Sequence, residues 1–168
     1  MSDDARDGSD LPADTLNERV GVLTRREVEA RILKPFVTAL SERYGATEVK
    51  AILSKVVEAA ATEAGEAMNR GDGSLEAFAE AWEPWFRGGA LETEILELTP
   101  EHWSFNVTRC RYAELYRSLG MAELGATLSC NRDAALIKGF DPDVRLERTQ
   151  TLMEGKGYCD FRYRRESD

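Results

Sequence analysis

Two kinds of hydrophobic spacing follow one another along the chain, and the change between them sets the expected fold class. In "LTRREVEARILKPFVTALSERYG", Val28, Ile32, Leu33, Phe36, Val37 and Leu40 recur at three- and four-residue steps, the spacing of one helical face. Thr24 with Glu27 reads as a capping box at its start, and Pro35 marks a place for a kink. A second helix covers "ATEVKAILSKVVEAAATEAGEAMNRG", with Val49, Ile52, Leu53, Val56 and Val57 on its expected buried face. "GDG" ends it, and Ser74 is placed to cap a third helix, "LEAFAEAWEPWFRGG", which carries Phe78, Trp82, Trp85 and Phe86. That aromatic cluster reads as core.

The period then changes from helical to alternating. "ALETEILELTPEHWSFNVTRC" reads as a hairpin with its turn at "TPEH"; Trp103, Phe105 and Val107 point one way and Ser104, Asn106 and Thr108 the other. Two helices follow, "RYAELYRSLG" and "MAELGATLSCNRDAALIKGF". After the turn "DPD" comes a second hairpin around "EGKG". Its expected register sets Met153 opposite Tyr158, Leu152 opposite Cys159, Thr151 opposite Asp160, Gln150 opposite Phe161 and Arg148 opposite Tyr163. The expected architecture is α+β: an antiparallel sheet of about four strands in two hairpins, packed with about five helices, the N-terminal half helical. Residues 1 to about 20 read as a disordered acidic tail, and 21–168 as a single domain.

Charge narrows the partners. Asp and Glu outnumber Lys and Arg 31 to 22, a formal net charge of -9. Nucleic acid is not expected, because phosphate binding needs a basic face. No apolar run reaches the roughly 18 residues of a membrane span, and the acidic N-terminus lacks the order of a signal peptide. A cytoplasmic protein with a small-molecule substrate is expected; a homo-oligomer is left open. Cys110, Cys130 and Cys159 are widely spaced and odd in number, which favours free thiols.

Candidate chemistry gathers in the second half. The expected hairpin puts Leu146, Arg148, Gln150, Leu152, Cys159, Phe161 and Tyr163 on one face. Apolar residues dominate that face, so Arg148 and Gln150 call for a polar pocket or a ligand beneath it; the plainer reading sets Arg148 at a wet sheet edge. Thr149, Thr151, Asp160 and Arg162 share the other face. Cys110 opens a helix beside Arg109, and both features favour thiolate. Cys130 and Asp133, three apart in "CNRD", share a helical face where a carboxylate could serve a thiol as base. The plainer readings are a small junction residue and a buried cysteine near a surface aspartate. His102, the sole histidine, falls at the first hairpin turn and suits a cap or solvent role. A zinc site from three cysteines with His102 or Asp133 lacks close CxxC spacing.

Five pieces in order, "NVTRCRYAE", "ELG", "LSCNRD", "RTQTLMEG" and "CDFRY", resemble the L-2-amino-thiazoline-4-carboxylic acid hydrolase family. They span about Phe105 to Tyr163. One departure is "CRY", where a proline often follows the first cysteine. The resemblance implies a cofactor-free hydrolase that opens a 2-amino-thiazoline ring with water, giving an N-carbamoyl amino acid, N-carbamoyl-L-cysteine for the named substrate. It singles out Cys110, Cys130, Asp133, Arg148, Thr149, Thr151, Cys159 and Asp160. Cys130 is the first nucleophile candidate, with Cys110 and Cys159 as rivals and direct attack by water open. Asp133 suits the amidinium or the base role. Arg148 or Arg109 suits the substrate carboxylate, with Gln150, Thr149, Thr151 and Asp160 as further binding candidates. A non-catalytic ligand-binding or sensor domain is the competing reading.

Overall fold

The structure, a computed structural model, describes residues 14–166. The expected tail lies outside the described residues as far as residue 13. Leu16–Val20, also read as tail, instead forms a short helix, α1. It is tied down locally: Leu16 N–H donates to Asp14 (3.0 Å), and the Asp14 carboxylate pairs with Arg25 (2.7 Å). Gly21, at φ +76°, turns the chain straight into α2, Val22–Tyr44. That left-handed conformation favours glycine, and a Cβ there would also press on Arg87 at 3.3 Å. The helix therefore starts before the expected Thr24 capping box, and its N-cap residue, Gly21, has no side chain to cap it.

The inward face of α2 is Val22, Arg26, Ala30 and Val37. Three residues expected there, Val28, Ile32 and Phe36, are instead 58%, 68% and 60% exposed. The helix carries two apolar stripes, and the one with the small Ala30 packs inward. Ala30 is fully buried in a cluster with Val57, Ala113, Tyr116 and Leu128. The helix runs on through Pro35, which lies on its exposed side. The next helix, α3 (Ala46–Met68), buries Val49, Val57, Ala61 and Gly65 and leaves Ile52 and Val56 exposed, against expectation.

Ser74 caps α4, Leu75–Ala81, as expected, accepting the Ala77 N–H at 3.2 Å. A short α5, Glu83–Phe86, completes the aromatic wall. Strands β1 (Leu91–Leu98) and β2 (His102–Cys110) form the first hairpin. Helices α6 (Arg111–Ser118), α7 (Ala122–Gly125) and α8 (Asn131–Phe140) follow; a π-helical turn, Ala126–Cys130, joins the last two. Strands β3 (Val144–Glu147) and β4 (Cys159–Arg165) close the chain. The sheet is antiparallel in the order β1-β2-β4-β3. The expected α+β class, four-stranded sheet and helical N-terminal half are all present. Among the described residues no helix is long and apolar enough to cross a membrane.

Two features of the packing position the site. First, α3 and α8 touch backbone to backbone. A Cβ at Gly65 would sit 2.0 Å from the Leu136 carbonyl oxygen, and one at Gly139 would sit 2.0 Å from that of Thr62. Second, the last hairpin is shorter than expected. Leu146, not Arg148, lies opposite Tyr163, and the ladder ends at Glu147 opposite Arg162. The Asp160 carboxylate takes the N–H groups of Thr149 (3.0 Å) and Gln150 (2.9 Å) that a continued ladder would use. Residues 148–158 therefore leave the sheet. The shift is two residues, so side-chain parity survives.

Candidate functional site

The helical layer does not close fully over the sheet. A cavity of about 840 Å³ lies between the start of α2, the second half of α3, the aromatic wall, the π turn and the inner faces of β2 and β4. Its lining holds all three cysteines, Asp133 and Arg148. Residues scattered from 110 to 159 in the sequence thus meet at one site.

At its centre is an ion pair. Arg148 reaches the Asp133 carboxylate through Nη1 and the Cys130 carbonyl through Nη2 (3.0 Å). The side chains are 14% and 16% exposed. Arg148 also lies over the Phe161 ring, 4.9 Å from its centroid. Burial alone would lower the Arg148 guanidinium, but Asp133 and Cys130 beside it carry it above its ordinary range. Burial pushes the Asp133 carboxyl upward against the opposing pull of Arg148. Cys130 is the last residue of the π turn, a widened helix type often found at functional sites. Two carbonyls of this region take arginine N–H groups: Cys130 from Arg148, and Leu128 from Arg132 Nε at 2.9 Å.

The thiols are held protonated. Burial raises Cys110 to about 11, although the N–H groups of Ala113 and Tyr112 at the start of α6 pull the other way. Of the two features that favour a thiolate at Cys110, the helix end is outweighed by desolvation, and Arg109 turns outward to Glu92 (3.2 Å) and Glu114 (2.8 Å). Burial and the Asp133 charge push Cys130 up further. Cys159 is raised by burial as well, its sulfur accepting the Leu152 N–H at 3.1 Å.

Other expected binding residues stand elsewhere. Arg109 is exposed and outside the cavity, which removes it as a clamp for a substrate carboxylate there. Burial works against ionised Asp160, yet the Thr149 hydroxyl (2.7 Å) and the Gln150 and Thr149 N–H groups hold its carboxyl below the ordinary range. Asp160 fastens the loop. Thr151 is buried on Glu154 (2.8 Å), and neither it, Thr149 nor Gln150 lines the cavity. His102 sits at the hairpin turn, half exposed, its Nδ1 3.6 Å from Glu97. Among the described residues no three His, Cys, Asp or Glu are grouped to hold a metal.

Three arginines of the site were not expected from the sequence. Arg25, Arg26 and Arg132 line the cavity. Glu29 serves all three: Arg25 at 2.9 Å, Arg26 in direct contact and Arg132 at 3.9 Å. Asp14 supplies a second carboxylate to Arg25. Three guanidiniums thus share two carboxylates. Burial, then the like charge of Arg26, lowers Arg132 to about 10. The sequence signal for Arg26 is its place among Val22, Ala30 and Val37 on the inward stripe; Arg132 stands inside "CNRD" itself. Trp82, read as core, is fully buried and also lines the cavity, and its indole N–H has no hydrogen-bond partner among the described residues.

Fold and site together define an α+β domain with a large internal pocket, apolar on one side and polar on the other. The chain belongs to the L-2-amino-thiazoline-4-carboxylic acid hydrolase family, whose sequence model matches residues 25–163. No curated protein matches it. Among solved structures it is similar to the phenol-responsive sensory domain of the transcription activator PoxR with phenol. That likeness has a TM-score of 0.50 at 10% identity and covers 80% of this chain and 73% of the other. It is also similar to a trafficking protein particle complex subunit 3 from Naegleria fowleri covalently bound to palmitic acid. There the TM-score is 0.51 at 11% identity, covering 86% of this chain and 96% of the other. At such identities the likeness is one of fold.

Proposed function

We propose that this chain is a cofactor-free hydrolase that opens a small cyclic amidine bearing a carboxylate, giving an N-carbamoyl amino acid. The observation that carries the reading is the convergence of the half-buried Cys130, Asp133 and Arg148 on one cavity, with Cys110 and Cys159 in its walls. For a 2-amino-thiazoline the balance is simple. An oxygen from water bonds to C2, the C2–S bond breaks, and the sulfur leaves as a thiol carrying one proton. The ring nitrogen keeps its bond to C2, takes the other proton of water and becomes the α-nitrogen that carries the carbamoyl group, whose own nitrogen is the exocyclic amine.

Asp133 is the residue suited to the proton. Its raised affinity for one brings it toward the range a general base needs at neutral pH, and it faces the amidinium as a counter-charge. Arg148 holds Asp133 in place. Protonated thiols at rest favour direct attack by water over a standing thiolate, with Cys130 next in line if Asp133 first takes its proton.

A test is incubation of the purified chain with 2-amino-thiazoline-4-carboxylate and related five-membered cyclic amidines, followed by mass for the gain of one water. Ring opening by the chain, lost in Asp133→Asn, is expected. Absence of turnover across the panel would sink the hydrolase reading. If Cys110→Ser, Cys130→Ser and Cys159→Ser each retain turnover, the nucleophile is water. A second reading, a ligand-binding sensor without turnover, is favoured by the upward shift of every thiol and by the likeness to a phenol-responsive sensory domain.

A further inference from the structure

The cavity is larger and more divided than a bare ring carboxylate requires. Its volume of about 840 Å³ falls near the top of the range, ~300–1,000 Å³, of pockets that enclose drug-sized ligands. Its two ends differ chemically. One end is the arginine cluster, where, among the described residues, three guanidiniums share Glu29 and Asp14 and one positive charge is left over. Arg26 is only 5% exposed, so water screens that surplus weakly. The remaining charged lining residues, Glu18, Glu63 and Arg70, are exposed at the rim. The other end is Trp82, Trp85, Leu91, Val107 and Phe161, a wall of aromatic and aliphatic carbon. Asp133 and Arg148 join the two: Asp133 follows Arg132 on α8, and Arg148 lies over Phe161.

We propose that the pocket takes an amphipathic carboxylate, its anion on Arg26 and Arg132 and its apolar body against the Trp82–Phe161 wall, so that the middle of the molecule passes Cys130 and Asp133. As a statement about substrate this rests on the hydrolase reading and extends it: the ring to be opened carries an apolar substituent. As a statement about binding it needs no turnover. The arginine pole also replaces the two arginines first considered for the carboxylate, since Arg109 is outside and Arg148 is committed to Asp133.

Isothermal titration of the full chain with acetate, butyrate, hexanoate and octanoate, and with octanol, tests it. Affinity is expected to rise about fourfold per methylene, the value that complete burial of each CH2 would give, and octanol is expected to bind at least tenfold more weakly than octanoate. Arg132→Gln should cost octanoate tenfold or more and leave octanol unchanged; Trp85→Ala, at a half-buried wall position, should flatten the chain-length series. Octanoate binding no tighter than acetate, or unmoved by Arg132→Gln while octanol matches it, overturns the proposal. The two readings separate cleanly. A steep chain-length series without ring opening leaves this inference standing and removes the hydrolase; turnover of bare rings with a flat series does the reverse.

Discussion

At the residue scale, the ion pair between Asp133 and Arg148 and the three thiols govern what the site can do. The five residues were legible in the sequence for different reasons. Strand alternation put Arg148 and Cys159 on the inner face, and that parity survived a two-residue change of register. The three-residue step joined Cys130 to Asp133. Arg26 and Arg132 were not legible, because an arginine on a helix ordinarily reads as solvated surface. Thr149 and Thr151 were misplaced by assuming a ladder that Asp160 interrupts. Removing one partner of a buried pair leaves an uncompensated charge. Arg148→Met is therefore expected to lower stability by about 3–5 kcal/mol in urea unfolding at pH 7, with much of the loss recovered in Arg148→Met/Asp133→Asn. A double variant as unstable as the single one would mean that the pair's charge is not what matters. Cys110 gives a pH prediction. Its folded value of about 11 exceeds the ordinary 9, so the folded state keeps a proton that the unfolded chain releases. Its contribution is present below about 9 and is lost as pH rises to about 11. Stability measured from pH 8 to 11 should therefore fall more steeply in the parent than in Cys110→Ser; parallel curves would contradict the shift.

At the element scale, helix periods located the helices but not which stripe turns inward. On α2 the large side chains Val28, Ile32 and Phe36 lie outward, and Ala30 faces the core. A sequence reading that favours the bulkiest apolar residues picks the wrong face when close approach demands small ones. The same principle operates at α3 and α8. Gly65 and Gly139 had no role in the sequence reading, yet each lies where a Cβ would overlap a backbone carbonyl at 2.0 Å. Backbone cannot yield as a flexible side chain can, so Gly139→Ala must push α8 away from α3. Overpacking of this kind costs about 1–3 kcal/mol. Because α8 carries Arg132 and Asp133, the displacement should also weaken octanoate binding. Urea unfolding with titration of the same variant checks both; unchanged stability together with unchanged affinity would show that the contact does not set the position of α8. Strand β1 was placed correctly, but its expected alternation was broken. Register shifts at Glu92/Thr93 and Ile95/Glu97 interrupt its pairing, and Ile95 and Leu98, though opposite Phe105 and Trp103, are exposed with Leu96 on this edge strand.

At the scale of the whole molecule, the core is divided. One cluster runs from Leu75, Phe78 and Trp82 across the sheet to Phe161 and Tyr163; a second joins α2, α3, α6 and the π turn through Ala30, Val57, Tyr116 and Leu128. The cavity touches both halves of the fold, from Val22 and Arg26 to Val107 and Phe161. The order of helices and hairpins along the chain was enough for the class, but this gap is lined by residues from Asp14 to Phe161 and is a product of tertiary packing that no local pattern encodes. A ligand seated there would bridge the helical layer and the strands, and so bind the native state while having no site in the unfolded chain. Mass action then sets the gain: at a hundredfold excess over Kd it is about 2.7 kcal/mol. For a chain of this size that corresponds to roughly 5–10 °C in Tm. Thermal unfolding with octanoate at that excess is expected to show a rise of this order, absent with acetate at the same concentration and strongly reduced in Arg132→Gln. A rise produced equally by acetate would point to a general salt effect on the acidic surface. No rise at an octanoate concentration that titration shows to be saturating would mean that the ligand occupies a surface which unfolding does not disrupt, and not the space between the two clusters.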